Sequence, residues 1–61
     1  MGELTEFLKH VKDSIEARPD LKDEYEGIRE LCLSEIEAGE SKTHEVHLAT
    51  EAMRQLTESD D

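Results

Sequence analysis

Apolar residues return at helical intervals along most of the chain. In the stretch LKDEYEGIRELCLSEI, Leu21, Tyr25, Ile28, Cys32 and Ile36 fall within about 80° of one another at 100° per residue, which makes one seam. Leu31 and Leu33 stand on opposite shoulders of that seam. The stripe is wider than a single neighbouring helix can cover, so this is the expected central helix. Tyr25, Ile28, Leu31, Cys32, Leu33 and Ile36 are its expected core and dimer-contact residues.

A first helix is predicted over residues 3–17, where Leu4, Phe7, Leu8, Val11 and Ile15 sit at i, i+3, i+4, i+7 and i+11. Arg18-Pro19-Asp20 breaks it, because proline lacks the N–H a helix interior needs and pushes the residue before it out of helical conformation. Asp20 is the expected cap of the central helix, with Asp23 and Glu24 in its first turn. So short a connection makes the first two helices an antiparallel hairpin.

The central helix should run from about Leu21 to Ala38, with Gly39 as a left-handed stop. Gly27 lies inside it, either as a tolerated surface glycine or where another backbone approaches closely. Ser41 is a suitable cap for a third helix over about Lys42 to Thr57, whose inward seam is Val46, Ala49, Met53 and Leu56 with Ala52 beside it. The acidic tail, residues 58–61, should fray. Nothing alternates as a strand would. The expected fold is all-α: one domain over 1–61, a helical hairpin plus a third helix.

Length changes this picture. A domain of 61 residues buries only about 60% of its unfolded surface and is marginal alone. Small scaffolds are usually stapled by disulfides, metal or oligomerisation. The single Cys32 cannot pair internally, and no cysteine cluster points to zinc. Oligomerisation remains, so a two-fold homodimer packed through the wide face of the central helix is expected.

Charge narrows the partners. The 17 acidic and 7 basic residues give a net charge of −10, and the basic ones are scattered. Direct nucleic-acid binding needs a basic patch that displaces counterions, and anionic membrane surfaces repel such a chain. No apolar run approaches a membrane span. A free cysteine without a targeting segment suits a reducing, cytoplasmic setting.

Candidate chemistry is sparse. His44, His47 and Glu51, at i, i+3 and i+7, share a face of the third helix, and imidazoles so spaced can bind zinc, nickel or copper. The string HEVH only superficially resembles the zincin HExxH, whose histidines are four apart rather than three. Exposed polar residues are the simpler reading, with no metal and no cofactor expected. Leu48 lies near these histidines, and an apolar residue ringed by polar ones can anchor a partner, so His44, His47, Leu48 and Glu51 form the candidate partner-binding set.

Cys32 reads as an inert small hydrophobe and His10, a turn after Glu6, as a solvated side chain. A chain this short should not enclose a pocket of several hundred Å³ and keep a core, so no enzyme is expected. Asp20, Asp23, Glu24, Glu26, Glu30, Glu35, Glu37 and Glu40 form an acidic run. It either keeps the protein soluble or stands in for DNA phosphates on a DNA-binding protein.

The segment CLSEIEAGESKTHEVHLATEAMRQL, through Cys32, the Glu35-Ile36 pair, Gly39, Ser41, His44-Glu45 and Leu56, resembles small acidic accessory proteins of the early regions of tailed bacteriophages. That resemblance implies a small all-helical, dimeric protein that modulates host or phage development through protein contacts, without enzyme activity. The expected function is therefore a non-enzymatic protein-interaction module. The alternative is an acidic DNA-mimic inhibitor of a nucleic-acid-binding protein.

Overall fold

The computed structural model describes residues 2–59, and among these there is no strand. Three helices account for nearly all of them: α1, Glu3–Ala17; α2, Lys22–Glu37; and α3, Lys42–Glu58. The bounds of α1 follow the predicted ones. Glu3 and Glu6 place negative charge at the positive end of its dipole. At its other end, Arg18 leaves helical conformation (φ −134°, ψ 72°), as the residue before a proline should.

The entry to α2 corrects one expectation. Pro19–Leu21 wind as a short 3-10 turn that runs directly into the helix, and the capping position falls on Leu21, with no side-chain cap. Asp20 does not cap α2. Its two carboxylate oxygens instead accept from Arg18 Nε at 3.2 Å and Nη2 at 2.8 Å. That fork clamps across the proline and holds the Asp20 carboxyl below the usual carboxylate range.

The exit from α2 follows the predicted stop. Gly39 has φ +109°, and its N–H bonds the Ile36 carbonyl at 3.1 Å, while the Glu40 N–H bonds the Glu35 carbonyl at 3.1 Å. These two bonds make a Schellman ending, which satisfies carbonyls that the helix leaves open. Ser41 then caps α3, its Oγ accepting from the His44 N–H at 3.4 Å. Glu58 and Ser59, the first two residues of the tail expected to fray, end α3. Glu58 belongs to the helix, and Ser59 closes it by bonding the Gln55 carbonyl through N–H (2.9 Å) and the Leu56 carbonyl through Oγ (3.2 Å). Asp60 and Asp61 lie outside the described residues.

One core joins all three helices. Phe7 and Val11 come from α1, Tyr25 and Cys32 from α2, and Ala49 and Met53 from α3, all buried. Leu4, Ile15, Leu21, Ile28, Ile36, Val46 and Leu56 pack around them, partly buried. Leu8 lies at the edge of the α1 stripe and is exposed. The radius of gyration, 11.2 Å, is close to the ~10.5 Å of a compact chain of this length, so the helices close on one another within a single copy.

Tyr25 is the central residue of that core. Its ring is fully buried, and its hydroxyl bonds Thr57 Oγ1, which in turn donates to the Met53 carbonyl at 3.0 Å. The relay ties the start of α2 to the end of α3. Thr43 Oγ1 donates to Glu3 Oε1 at 2.6 Å and ties the starts of α1 and α3. Together these contacts make α3 antiparallel to α2 and parallel to α1, an up-down-up bundle.

This packing orders two pairs of variants. Tyr25→Phe should cost about 1 kcal/mol, one net hydrogen bond, whereas Thr57→Val should cost more, about 1–3 kcal/mol, because it strands the buried Tyr25 hydroxyl. Urea unfolding of both variants checks the order, which is the reverse of what exposure alone implies. The glycines should also part company. Gly27 is exposed, and a methyl group added there would meet nothing within 4 Å, so Gly27→Ala should stabilise by up to about 1 kcal/mol. Gly39→Ala should destabilise by about 1 kcal/mol, since alanine resists positive φ. A loss of stability in Gly27→Ala, measured by thermal unfolding, would revive the close-approach reading of Gly27.

Candidate functional site

The helices leave a mainly apolar groove open between α2 and α3. It has a volume of about 350 Å³ and is lined by Ile28, Leu31, Cys32 and Glu35 from α2 and by Glu45, Leu48, Ala49 and Ala52 from α3. No residue of α1 lines it. The residues of α3 that face α1, among them Val46, Thr50 and Met53, sit roughly 120° round the helix from those that face the groove, at 100° per residue. The α2–α3 pair is thus covered on one side by α1 and uncovered on another. The groove reaches several hundred Å³ because it is half open to solvent, which is how so short a chain forms it beside an intact core.

Leu31 and Leu48 are the exposed anchors of this groove, 63% and 48% accessible. One exposed leucine is ordinary, but two on different helices lining one depression form a patch. Leu33, on the other shoulder of α2, is half-buried. Helical spacing alone groups Leu31 with the core and dimer contacts and Leu48 with the histidines. The structure brings these two leucines together instead, since α2 and α3 are antiparallel and both residues turn toward the shared groove.

His44, His47 and Glu51 stay apart from that groove. Both histidines are exposed, and Glu51 is half-buried, accepting from Arg54 Nη2 at 2.5 Å. Among the described residues, no three His, Cys, Asp or Glu side chains converge as a metal-holding group. The residues grouped by sequence around Leu48 therefore split: the leucine lines the groove, the two histidines face solvent, and Glu51 pairs with Arg54. His10 borders a separate cleft between α1 and α3, with Ser14, Thr50 and Arg54.

Two carboxylates mark one end of the groove. Glu35 lies near the end of α2 and Glu45 near the start of α3, so both flank the tight turn at residues 38–41. No Lys, Arg or His is among the described residues that line the groove. Cys32 forms part of its floor. Burial, and secondarily the negative charge of Glu45, push the Cys32 thiol above its ordinary value of 9.0. A thiol so placed is a packing group and a poor nucleophile.

The acidic run does not make a single surface. Asp23, Glu26, Glu30 and Glu37 fall within about 60° of one another on the side of α2 away from Tyr25 and Cys32, whereas Glu35 turns to the groove. The structure thereby separates carboxylates that merely solvate the outer face from two that border an apolar depression.

The raised Cys32 pKa gives a signed pH effect. The folded chain favours the neutral thiol, so this contribution is fully present well below the ordinary thiol value of 9.0 and is lost as pH rises through the folded value. The stability gap between the protein and its Cys32→Ala variant should therefore narrow as pH rises above the ordinary thiol value of 9.0, as read from urea midpoints. A constant gap would show that Cys32 titrates as it does in the unfolded chain.

No family model matches this chain, and neither a characterised protein nor a solved structure shows significant similarity to it.

Proposed function

We propose that this chain is a non-enzymatic protein-interaction module whose working surface is the α2–α3 groove. The observation that carries the proposal is the pairing of Leu31 and Leu48, exposed side chains from two helices, over a depression floored by Ile28, Cys32 and Ala49. Such a depression gains free energy when an apolar ridge fills it, at about 25 cal/mol per Å² removed from water. The three helices already close a core without these leucines, so they are left for a contact beyond the single chain.

The resemblance to small phage accessory proteins supports the same class of function, modulation through protein contacts. A homodimer through the wide face of α2 would compete for this same contact, since Leu31 lies on that face. The DNA-mimic alternative draws on the net charge of −10 and on the outer row Asp23, Glu26, Glu30 and Glu37. It leaves the apolar groove without a use, and for that reason ranks second. Steep salt dependence and competition by DNA for the same partner would reverse the ranking.

The test uses substitutions that spare the fold. Leu31→Asp and Leu48→Asp should each change unfolding free energy by no more than about 0.5 kcal/mol, as surface substitutions do. Proteins retained by the immobilised native chain should be lost with either variant and kept with Leu8→Asp, a control at the exposed edge of α1. Identical retention by all four proteins would remove the groove from the function.

A further inference from the structure

We infer that the occupant of the α2–α3 groove is a basic amphipathic helix of another protein, with lysine or arginine one turn from its apolar anchors. The inference rests on the proposed interaction role of the groove and goes on to name its ligand.

Shape argues for a helix. Two antiparallel helices leave a furrow parallel to their axes, and a fourth helix laid there would complete a bundle. α1 already occupies the corresponding position on the other side of the α2–α3 pair. An amphipathic helix enters such a furrow through residues at i, i+3 or i+4, and i+7.

Charge argues for a basic helix and against a second copy. Glu35 follows Leu31 by four residues, and Glu45 precedes Leu48 by three, so each carboxylate stands one turn, about 4.5–6 Å along the axis, from a leucine. Both lie at the turn end of the groove. The lining thus reads as two apolar anchors with two acceptors on the same side of them. A partner that meets it presents leucine-like residues with cations a turn away. Another copy of this chain brings no cation in its own groove and carries a net charge of −10 against −10. Like charges across an interface are disfavoured, whereas complementary ones speed association and fix register. An anionic membrane surface is repelled by the same carboxylates.

The experiment titrates the isotopically labelled full chain with three synthetic peptides of about four helical turns. The first has leucines at i, i+3, i+7 and i+10 with flanking lysines. The second replaces the lysines by glutamates. The third scrambles the first, keeping its charge and losing its apolar face. At about 0.15 M salt, where bare charge attraction is screened beyond about 8 Å, the first peptide should bind at least about tenfold tighter than either of the others. Its amide shifts should concentrate in residues 28–35 and 45–52. The pair Glu35→Gln with Glu45→Gln should weaken it about fivefold or more, whereas Glu30→Gln with Glu37→Gln, an equal loss of charge on the outer face, should change it less than about twofold.

Equal binding of the scrambled peptide, or shifts centred on the outer acidic face, would overturn the inference. Equal binding of the acidic peptide in the groove would overturn the charge assignment and leave the groove as an interaction surface. Concentration-dependent shifts of the same amides without peptide, with twice the monomer mass in sedimentation, would give the groove to a second copy instead. If no peptide and no second copy shifts the groove amides, both the inference and the interaction role fall.

Discussion

A fully buried tyrosine sets the terms for this small bundle. Tyr25 supplies much of the aromatic area in a chain with one Phe and no Trp, so its burial is worth a large share of the apolar gain. Its hydroxyl cannot be buried unpaired without a loss comparable to that gain. The partner is Thr57 at the far end of α3, and accepting that partner dictates that α3 run back along α2. The Schellman turn at Gly39 and the Ser41 cap make the reversal in four residues, so the local signals and the long-range bond demand the same geometry. Agreement of this kind lets a short sequence specify one arrangement.

The same geometry creates the groove. Antiparallel α2 and α3 expose Leu31 beside Leu48, and α1 covers the pair from one side only. The carboxylates then acquire different meanings from position alone. Those on the outer face of α2 are solvated charge that favours solubility, while Glu35 and Glu45 border a surface that water leaves easily. In a chain with net charge −10, two groove carboxylates are a small part of the total, yet they are the ones that line the apolar depression, where an incoming cation would meet them beside the leucines.

Much of the fold is legible in the sequence because its boundaries are written in residues with few alternatives. Pro19 ends α1, Gly39 ends α2 and Ser41 begins α3, each for a backbone reason that holds in any context. The inward seams follow from helical spacing, which fixes the angle of a side chain about its own axis. Spacing does not fix which neighbour that side chain meets. That is why Asp20 reads as a cap when its carboxylate is in fact gripped by Arg18, and why Leu48 reads as a companion of His44 and His47 when it lies across from Leu31. The Tyr25–Thr57 bond spans 32 positions and leaves no local signature; its one hint in the sequence is a tyrosine, rather than a phenylalanine, in the middle of an apolar seam.

Marginal stability and an open apolar groove bear on each other. A bundle this small has little stability to spare, and leucines left in water contribute almost none of it. Leu31 at 63% exposure and Leu48 at 48% could both be polar without loss to the core, which closes around Tyr25, Cys32 and Met53 without them. Their presence is not explained by folding. A helix seated between them would bury both leucines, and by mass action it would add its binding free energy to the stability of the three-helix chain. The feature that looks like incomplete packing in the isolated protein is then the means by which a partner completes the bundle, with Glu35 and Glu45 selecting which helix is allowed to do so.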